Sequence, residues 1–268
     1  PRHSTALLGV PYAEQDGRTL HLQILLPPQV VGTDPADGQR LPGILYVQGS
    51  GWREQNLGGK LPALAEMACR GYVIAIVEHR PSAQAPFPAQ AEDAARAVHF
   101  LREHAGEYFV NPDRLAIWGD SSGGHTALTA YLRDPALDLR CAVDYFAPTD
   151  ISRMNEEPSI SDHLAADSAE GLLIGGRRVD EHPELVAPTI LMGGVVPAAE
   201  RAQHVLIVHG SHDRVVPFAQ SVLLHEELRA AGQDTTLVRV EGADHSGAPF
   251  WQPTVLDLVE EFLRRCLA

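Results

Sequence analysis

The 268-residue chain has only three cysteines, Cys69, Cys141 and Cys266. They lie far apart and form no CxxC pair. This excludes a disulfide framework and a cysteine-built zinc site as organising principles, and leaves room for one bridge at most. No apolar run approaches the roughly 20 residues that a membrane-spanning helix needs. Basic residues are scarce too: 21 Lys and Arg stand against 35 Asp and Glu, a net charge of −14. An acidic surface repels phosphate backbones and anionic membranes, and no basic stripe offsets it, so no nucleic-acid partner is expected. A neutral or esterified small molecule suits this charge better than a polyanion. The sequence has no internal repeat and no low-complexity tract. It starts at Pro1 rather than Met. That is compatible with a leader removed or never present, and leaves the compartment open.

What is there is an ordinary globular composition, 44% hydrophobic and 21% charged. One α/β domain takes about 200 to 250 residues, so residues 1–268 are read as one domain with a modest insertion. Leu20 to Leu26 alternates as a half-buried strand does, after an Asp16-Gly17 turn. Gly43 to Val47, Tyr72 to Val77, Leu115 to Trp118, Ala142 to Phe146, Val205 to His209 and Thr236 to Val240 are short apolar runs that read as strands. Helices are expected at Leu61 to Arg70, Gln90 to His104, Ser122 to Leu132, Phe218 to Ala231 and Pro253 to Cys266. This alternation predicts an α/β fold with a mostly parallel central sheet and helices on both faces. Ile151 to Gln203 breaks the rhythm. It is too long for a simple crossover, and we read it as a small cap or lid inserted over the C-terminal edge of the sheet.

The strongest motif is Gly119-Asp120-Ser121-Ser122-Gly123, a G-x-S-x-G between a predicted strand and a predicted helix. So tight a turn strains the serine backbone. Side chains at Gly119 and Gly123 would collide with neighbouring backbone, and the hydroxyl of Ser121 is pushed outward as the candidate nucleophile. Ser122 is out of register, because Asp120 rather than glycine stands two residues before it.

A serine hydroxyl needs a base. Downstream, Val205 to His209 runs into a loop carrying Asp213, and Thr236 to Val240 runs into a loop carrying His245. Both loops follow strands, where a shared site would form. The order Ser, acid, His fits the nucleophile motif. His245 is expected to take the Ser121 proton, and Asp213 to hold the imidazole. Asp150 is the reserve acid, Asp244 a loop residue and His125 a packing residue. His209 and His212 flank Asp213, yet no second pair with ligand spacing appears, so neither a metal nor any other cofactor is expected. A neutral histidine base predicts hydrolysis that falls as pH drops below about 6 to 7.

Negative charge on a carbonyl oxygen calls for preorganised N–H donors. The N–H of Ser122, directly after the nucleophile, is one candidate. The loop Gln48-Gly49-Ser50-Gly51-Trp52 after the strand ending at Val47 supplies the others.

The ordered set of Gln48 to Trp52, Ala85 to Ala89, Asn111 to Leu115, Gly119 to Gly124, Glu170 to Gly176, His209 to Asp213 and Gly242 to Gly247 resembles the α/β-hydrolase superfamily. Within it, the chain is similar to esterases near the hormone-sensitive-lipase group and to bacterial acetylxylan and feruloyl esterases. The resemblance covers about Leu41 to the C terminus and implies an α/β-hydrolase fold. It also implies that Ser50 and Gly51 are the loop's oxyanion donors. Gln48 stands where the family usually has His, and Ser50 replaces a glycine; His79-Arg80 stands for a common Tyr-Arg pair. Gln48 and Trp52, at the two ends of the loop, are expected to contact substrate.

The expected reaction is two-step acyl transfer through an acyl-enzyme on Ser121. The resemblance implies short or aromatic acyl groups, such as acetyl or feruloyl esters of plant polysaccharide, on a small-molecule or oligosaccharide alcohol. Two alternatives stay open: a peptidase or amidase of prolyl-oligopeptidase type, which would lack that group's gating domain, and a non-catalytic small-molecule-binding protein on the same fold.

Overall fold

A computed structural model describes residues 3–268. Eight strands form one sheet: β1 (Thr5–Gln15), β2 (Arg18–Leu26), β3 (Leu41–Val47), β4 (Val73–Val77), β5 (Val110–Asp120), β6 (Ala142–Tyr145), β7 (His204–Gly210) and β8 (Asp234–Val240). Their order is β1-β2-β4-β3-β5-β6-β7-β8. β2 pairs antiparallel with both β1 and β4; every other pairing is parallel. The helices are α1 (Leu61–Cys69), α2 (Ala89–Glu103), α3 (Ser122–Arg133), α4 (Ala169–Leu173), α5 (Pro183–Val186), α6 (Phe218–Ala230) and α7 (Pro253–Cys266).

The inner strands are apolar at successive positions because both faces of the sheet are covered. Leu45 and Val47 of β3 join Ala94 and Val98 of α2, Leu128 of α3 and Leu224 of α6 in one core. Ile44 and Tyr46, alternating with them in sequence, face the other way, into a core with Leu64 and Met67 of α1 and Leu256 and Val259 of α7. This period-two division makes a two-sided α/β sandwich of the chain. It is the mostly parallel, doubly covered sheet that the alternation predicts, and the α/β-hydrolase arrangement that the resemblance implies.

Two elements differ from the sequence reading. β1 extends the sheet by a hairpin over the Asp16-Gly17 turn, where only the second strand was expected. β5 begins at Val110, not Leu115: the chain pairs with Leu41 at Val110, bulges through residues 111–114 and rejoins β3 at Leu115 opposite Gly43. Residues 151–203 contain no strand. Ile151, Leu173, Ile174, Val179 and Val186 of this stretch bury themselves with Trp52 in a small apolar cluster of their own. Among the described residues, no helix is long and apolar enough to cross a membrane.

Candidate active site

β5 and α3 meet at Ser121, which adopts φ 54° and ψ −130°. This positive φ is strained for a residue with a side chain. The neighbours leave no alternative path. A Cβ on Gly119 would lie 2.2 Å from the carbonyl oxygen of Gly123, and one on Gly123 would lie 2.1 Å from that of Val47. Hence the two glycines, and hence a serine hydroxyl projected off the end of the sheet.

That hydroxyl meets a histidine. Ser121 Oγ lies 3.0 Å from His245 Nε2, and His245 Nδ1 lies 2.7 Å from Asp213 Oδ2. A carboxylate only accepts, so Nδ1 carries the proton and Nε2 is left to accept from Ser121. Phe146 packs edge-on against the imidazole, with ring centroids 4.8 Å apart. The Asp213 side chain is fully enclosed. Burial alone would raise its pKa. Instead, hydrogen bonds from His209 and His245 hold the carboxyl well below the usual carboxylate range. Its Oδ1 accepts from the N–H groups of Val215 and Val216 at 2.9 and 2.8 Å.

The remaining candidates sort by geometry. His209 serves the acid: its Nε2 is 3.2 Å from Asp213 Oδ2, and its Nδ1 is 2.7 Å from Ser221 Oγ. His212 instead meets Ser211 Oγ. Asp150 caps a short 3-10 turn by accepting from Ser152 at both N–H and Oγ, and the acid loop, not Asp150, faces His245. His125 is a packing residue, buried with Nε2 on the carbonyl of Thr189, and burial pushes its pKa down to about 4. Asp244 has more than a loop role. It accepts from the N–H groups of Arg214 and His245 and pairs with the Arg214 guanidinium, clasping the acid loop to the base loop.

The loop after β3 departs from expectation in three places. The N–H of Ser50 is already engaged, donating to Ser122 Oγ at 2.9 Å. The N–H groups of Gly51 and Ser122 have no protein acceptor among the described residues, so those two are the donors this geometry leaves open. Gln48 is buried behind the loop and is absent from the cleft lining. Trp52 touches the cleft but is 1% exposed, edge-on to His125 within the apolar cluster, and acts as wall.

Three groups in the site were not read from the sequence. Asp120, inside the nucleophile motif, accepts from Tyr46 Oη and from the N–H of Gly49, and its other oxygen is 3.0 Å from Lys60 Nζ. It therefore fixes the loop beside the nucleophile. The third is the buried pair His163 and Glu170, with Nδ1 and Oε1 2.9 Å apart. Asp120, inside the nucleophile motif, and Glu170, at the head of the Glu170 to Gly176 segment, stood in segments that carry the resemblance; Lys60 and His163 had no such signal. All four side chains, with Ser121 and His245, line one cleft of about 490 Å³. Its lining combines apolar residues, Phe146, Pro148, Val215 and Val216, with polar ones from the 151–203 stretch, Ser161, Asp162, His163, Ser168 and Glu170.

Comparison with known proteins agrees with this architecture. The chain is 27% identical to Esterase LipQ of Mycobacterium tuberculosis over 249 residues, covering 86% of this chain and 56% of that protein. It is 25% identical to the probable carboxylic ester hydrolase LipM of the same organism, covering 80% of this chain and 49% of the relative. The chain thus spans about half the length of these curated relatives. A truncated carbohydrate esterase from gut microbiota superposes with a TM-score of 0.85 at 25% identity, over 98% of this chain and 96% of that one. The thermophilic esterase Est2 of Thermogutta terrifontis shares the fold, with a TM-score of 0.76 at 22% identity over 98% and 94% of the two chains. The BD-FAE family model matches residues 31–228, a stretch that holds the strained Ser121 and the buried Asp213, and with well over half its length matched, the chain belongs to that family.

Proposed function

We propose that this protein is a carboxylic ester hydrolase in which Ser121 is the nucleophile, His245 the general base and acid, and Asp213 the group that orients and charges-balances the imidazole. The observation that carries this reading is the hydrogen-bonded line Ser121–His245–Asp213, at 3.0 and 2.7 Å, at the floor of a cleft. Ser121 Oγ attacks the ester carbonyl as its proton passes to His245 Nε2. The oxyanion forms against the N–H groups of Ser122 and Gly51. His245 returns the proton to the departing alcohol, leaving an acyl-enzyme. Water, deprotonated by the same nitrogen, attacks the acyl carbon and frees Ser121.

Residues 151–203 act as a cap that closes one side of the cleft. The mixed lining of the cleft favours a small acyl group against Phe146 and Val216 and a hydroxyl-bearing alcohol against Ser161, His163 and Glu170 of the cap. The substrates we infer are therefore short or aromatic acyl esters of sugars, acetyl or feruloyl, and the likeness to a carbohydrate esterase supports this direction. The test is hydrolysis of p-nitrophenyl acetate, butyrate and octanoate, methyl ferulate and acetylated xylan, with Ser121→Ala as the blank. Turnover that vanishes in the variant is expected, falling as the acyl chain lengthens. Equal turnover in the folded variant would move the nucleophile elsewhere.

A further inference from the structure

The cap segment holds a second Ser, His and acid in line. Ser159 Oγ is 2.8 Å from His163 Nε2, and His163 Nδ1 is 2.9 Å from Glu170 Oε1. This is not a second hydrolytic site. Ser159 Oγ also lies 3.2 and 3.1 Å from the carbonyl oxygens of Arg214 and Val215, which are acceptors for its proton. The serine is thus a tether between the cap and the acid loop, reinforced by the N–H of Ile160 on the carbonyl of Arg214.

Glu170 is differently placed. It is 4% exposed, yet it lines the cleft. One carboxylate oxygen takes the His163 N–H; the other has no protein partner among the described residues and is not sealed from the cleft. That oxygen is open to a donor presented from the cleft. The residue is also near the chemistry. A Cβ on Gly51 would lie 3.2 Å from that of Ala169, so the chain at Glu170 abuts the oxyanion loop. Arg53, in the same loop, donates to the carbonyl of Asp167 at 3.2 Å.

We infer that Glu170, held in place by His163, is a specificity-determining residue that accepts a hydrogen bond from a hydroxyl group of the alcohol part of the ester. This rests on the esterase reading above. A hydroxyl suits this oxygen because it brings a donor to a group that can only accept. His163 is buried, which works against its charged form, but the Glu170 carboxylate more than offsets that and holds its pKa above the ordinary histidine value, in keeping with the hydrogen bond that fixes the carboxyl in place.

The test compares two acetates of similar ring size, cyclohexyl acetate and a methyl xyloside monoacetate, in the wild-type protein and in Glu170→Gln. The wild-type protein should prefer the xyloside in kcat/KM. Glu170→Gln should cut that preference at least tenfold, mainly through KM. Free methyl xyloside should inhibit cyclohexyl acetate turnover in the wild type and do so several-fold more weakly in the variant. If Glu170→Gln proves unfolded, Glu170→Asp, which retracts the carboxylate by one methylene, takes its place with the same expected loss. A wild-type protein without preference, or a variant that lowers both substrates equally, overturns the inference. Failure of the wild-type protein to hydrolyse either acetate above Ser121→Ala overturns the esterase reading instead.

Discussion

Ser121 sits in strained backbone geometry because its flanks have no side chains, so those flanks carry the stability cost of any change. Gly119→Ala would drive a methyl to 2.2 Å from a backbone oxygen that cannot move without moving α3. We expect a loss of about 3 kcal/mol, at the upper end for overpacking, measured by urea unfolding. An unchanged midpoint would mean the turn is looser than described. Asp213 is enclosed by four donors: two N–H groups and two imidazoles. Asp213→Asn keeps the volume but presents an NH2 where His245 Nδ1–H now points, which favours the wrong tautomer. A fall in kcat on the order of 10³ to 10⁴, with KM little changed, is expected from that substitution. A drop of less than tenfold would indicate that another carboxylate serves the histidine.

At the level of elements, the contact of β6 with α3 encloses a carboxyl group. Asp144 is fully buried, with Oδ1 on the N–H of Ala147 and Oδ2 unpaired. Burial, aided by the nearby Asp120, pushes its pKa up to about 8. In the unfolded chain the same group ionises near 3.9. Between those values the native state binds the extra proton, so its stability falls as pH rises from about 4 to about 8. Asp144→Asn removes that slope. The variant should gain at least about 1.4 kcal/mol over the wild type between pH 4 and pH 8, the equivalent of one pKa unit, read from urea unfolding at both pH values. A difference independent of pH would show that the carboxyl ionises normally.

The elements also show where sequence stops being legible. Inner strands announce themselves because both faces are buried, so β3, β4 and β7 read as unbroken apolar runs. β1 is an edge strand, largely exposed along its length and interrupted by Gly9 and Pro11, and it has no periodicity to detect. α4 and α5 have five and four residues, too short for a helical repeat to register. Ser121, Asp213 and His245 were legible because each follows a readable strand. Glu170 and His163 were not, since their pairing depends on how an irregular segment folds back. Likewise, the capture of the Ser50 N–H by Ser122 Oγ depends on the rotamer of Ser122 and the path of the loop backbone, to which spacing is blind.

Across the whole molecule, the excess of 35 acidic over 21 basic residues sets a repulsive background that no single ion pair removes. Salt should therefore stabilise the fold by screening it. We expect a gain of about 1 kcal/mol or less in unfolding free energy between 20 and 200 mM sodium chloride at pH 8, measured by chemical denaturation. A loss over that range would mean that the surface ion pairs, such as Arg70 with Asp257 and Glu260, outweigh the repulsion.

The distance along the chain between the reacting groups has a kinetic consequence. Ser121 and His245 are 124 residues apart, and the donor loop at Gly51 lies far ahead of both. Each arrives at the cleft on a different parallel strand, and parallel pairings between remote segments are slow to form. β7 and β8 must dock before any acid or base exists. Ester turnover should thus be the last signal to return when the denatured chain refolds, trailing helix content and tryptophan burial, and its recovery would time the closing of the sheet.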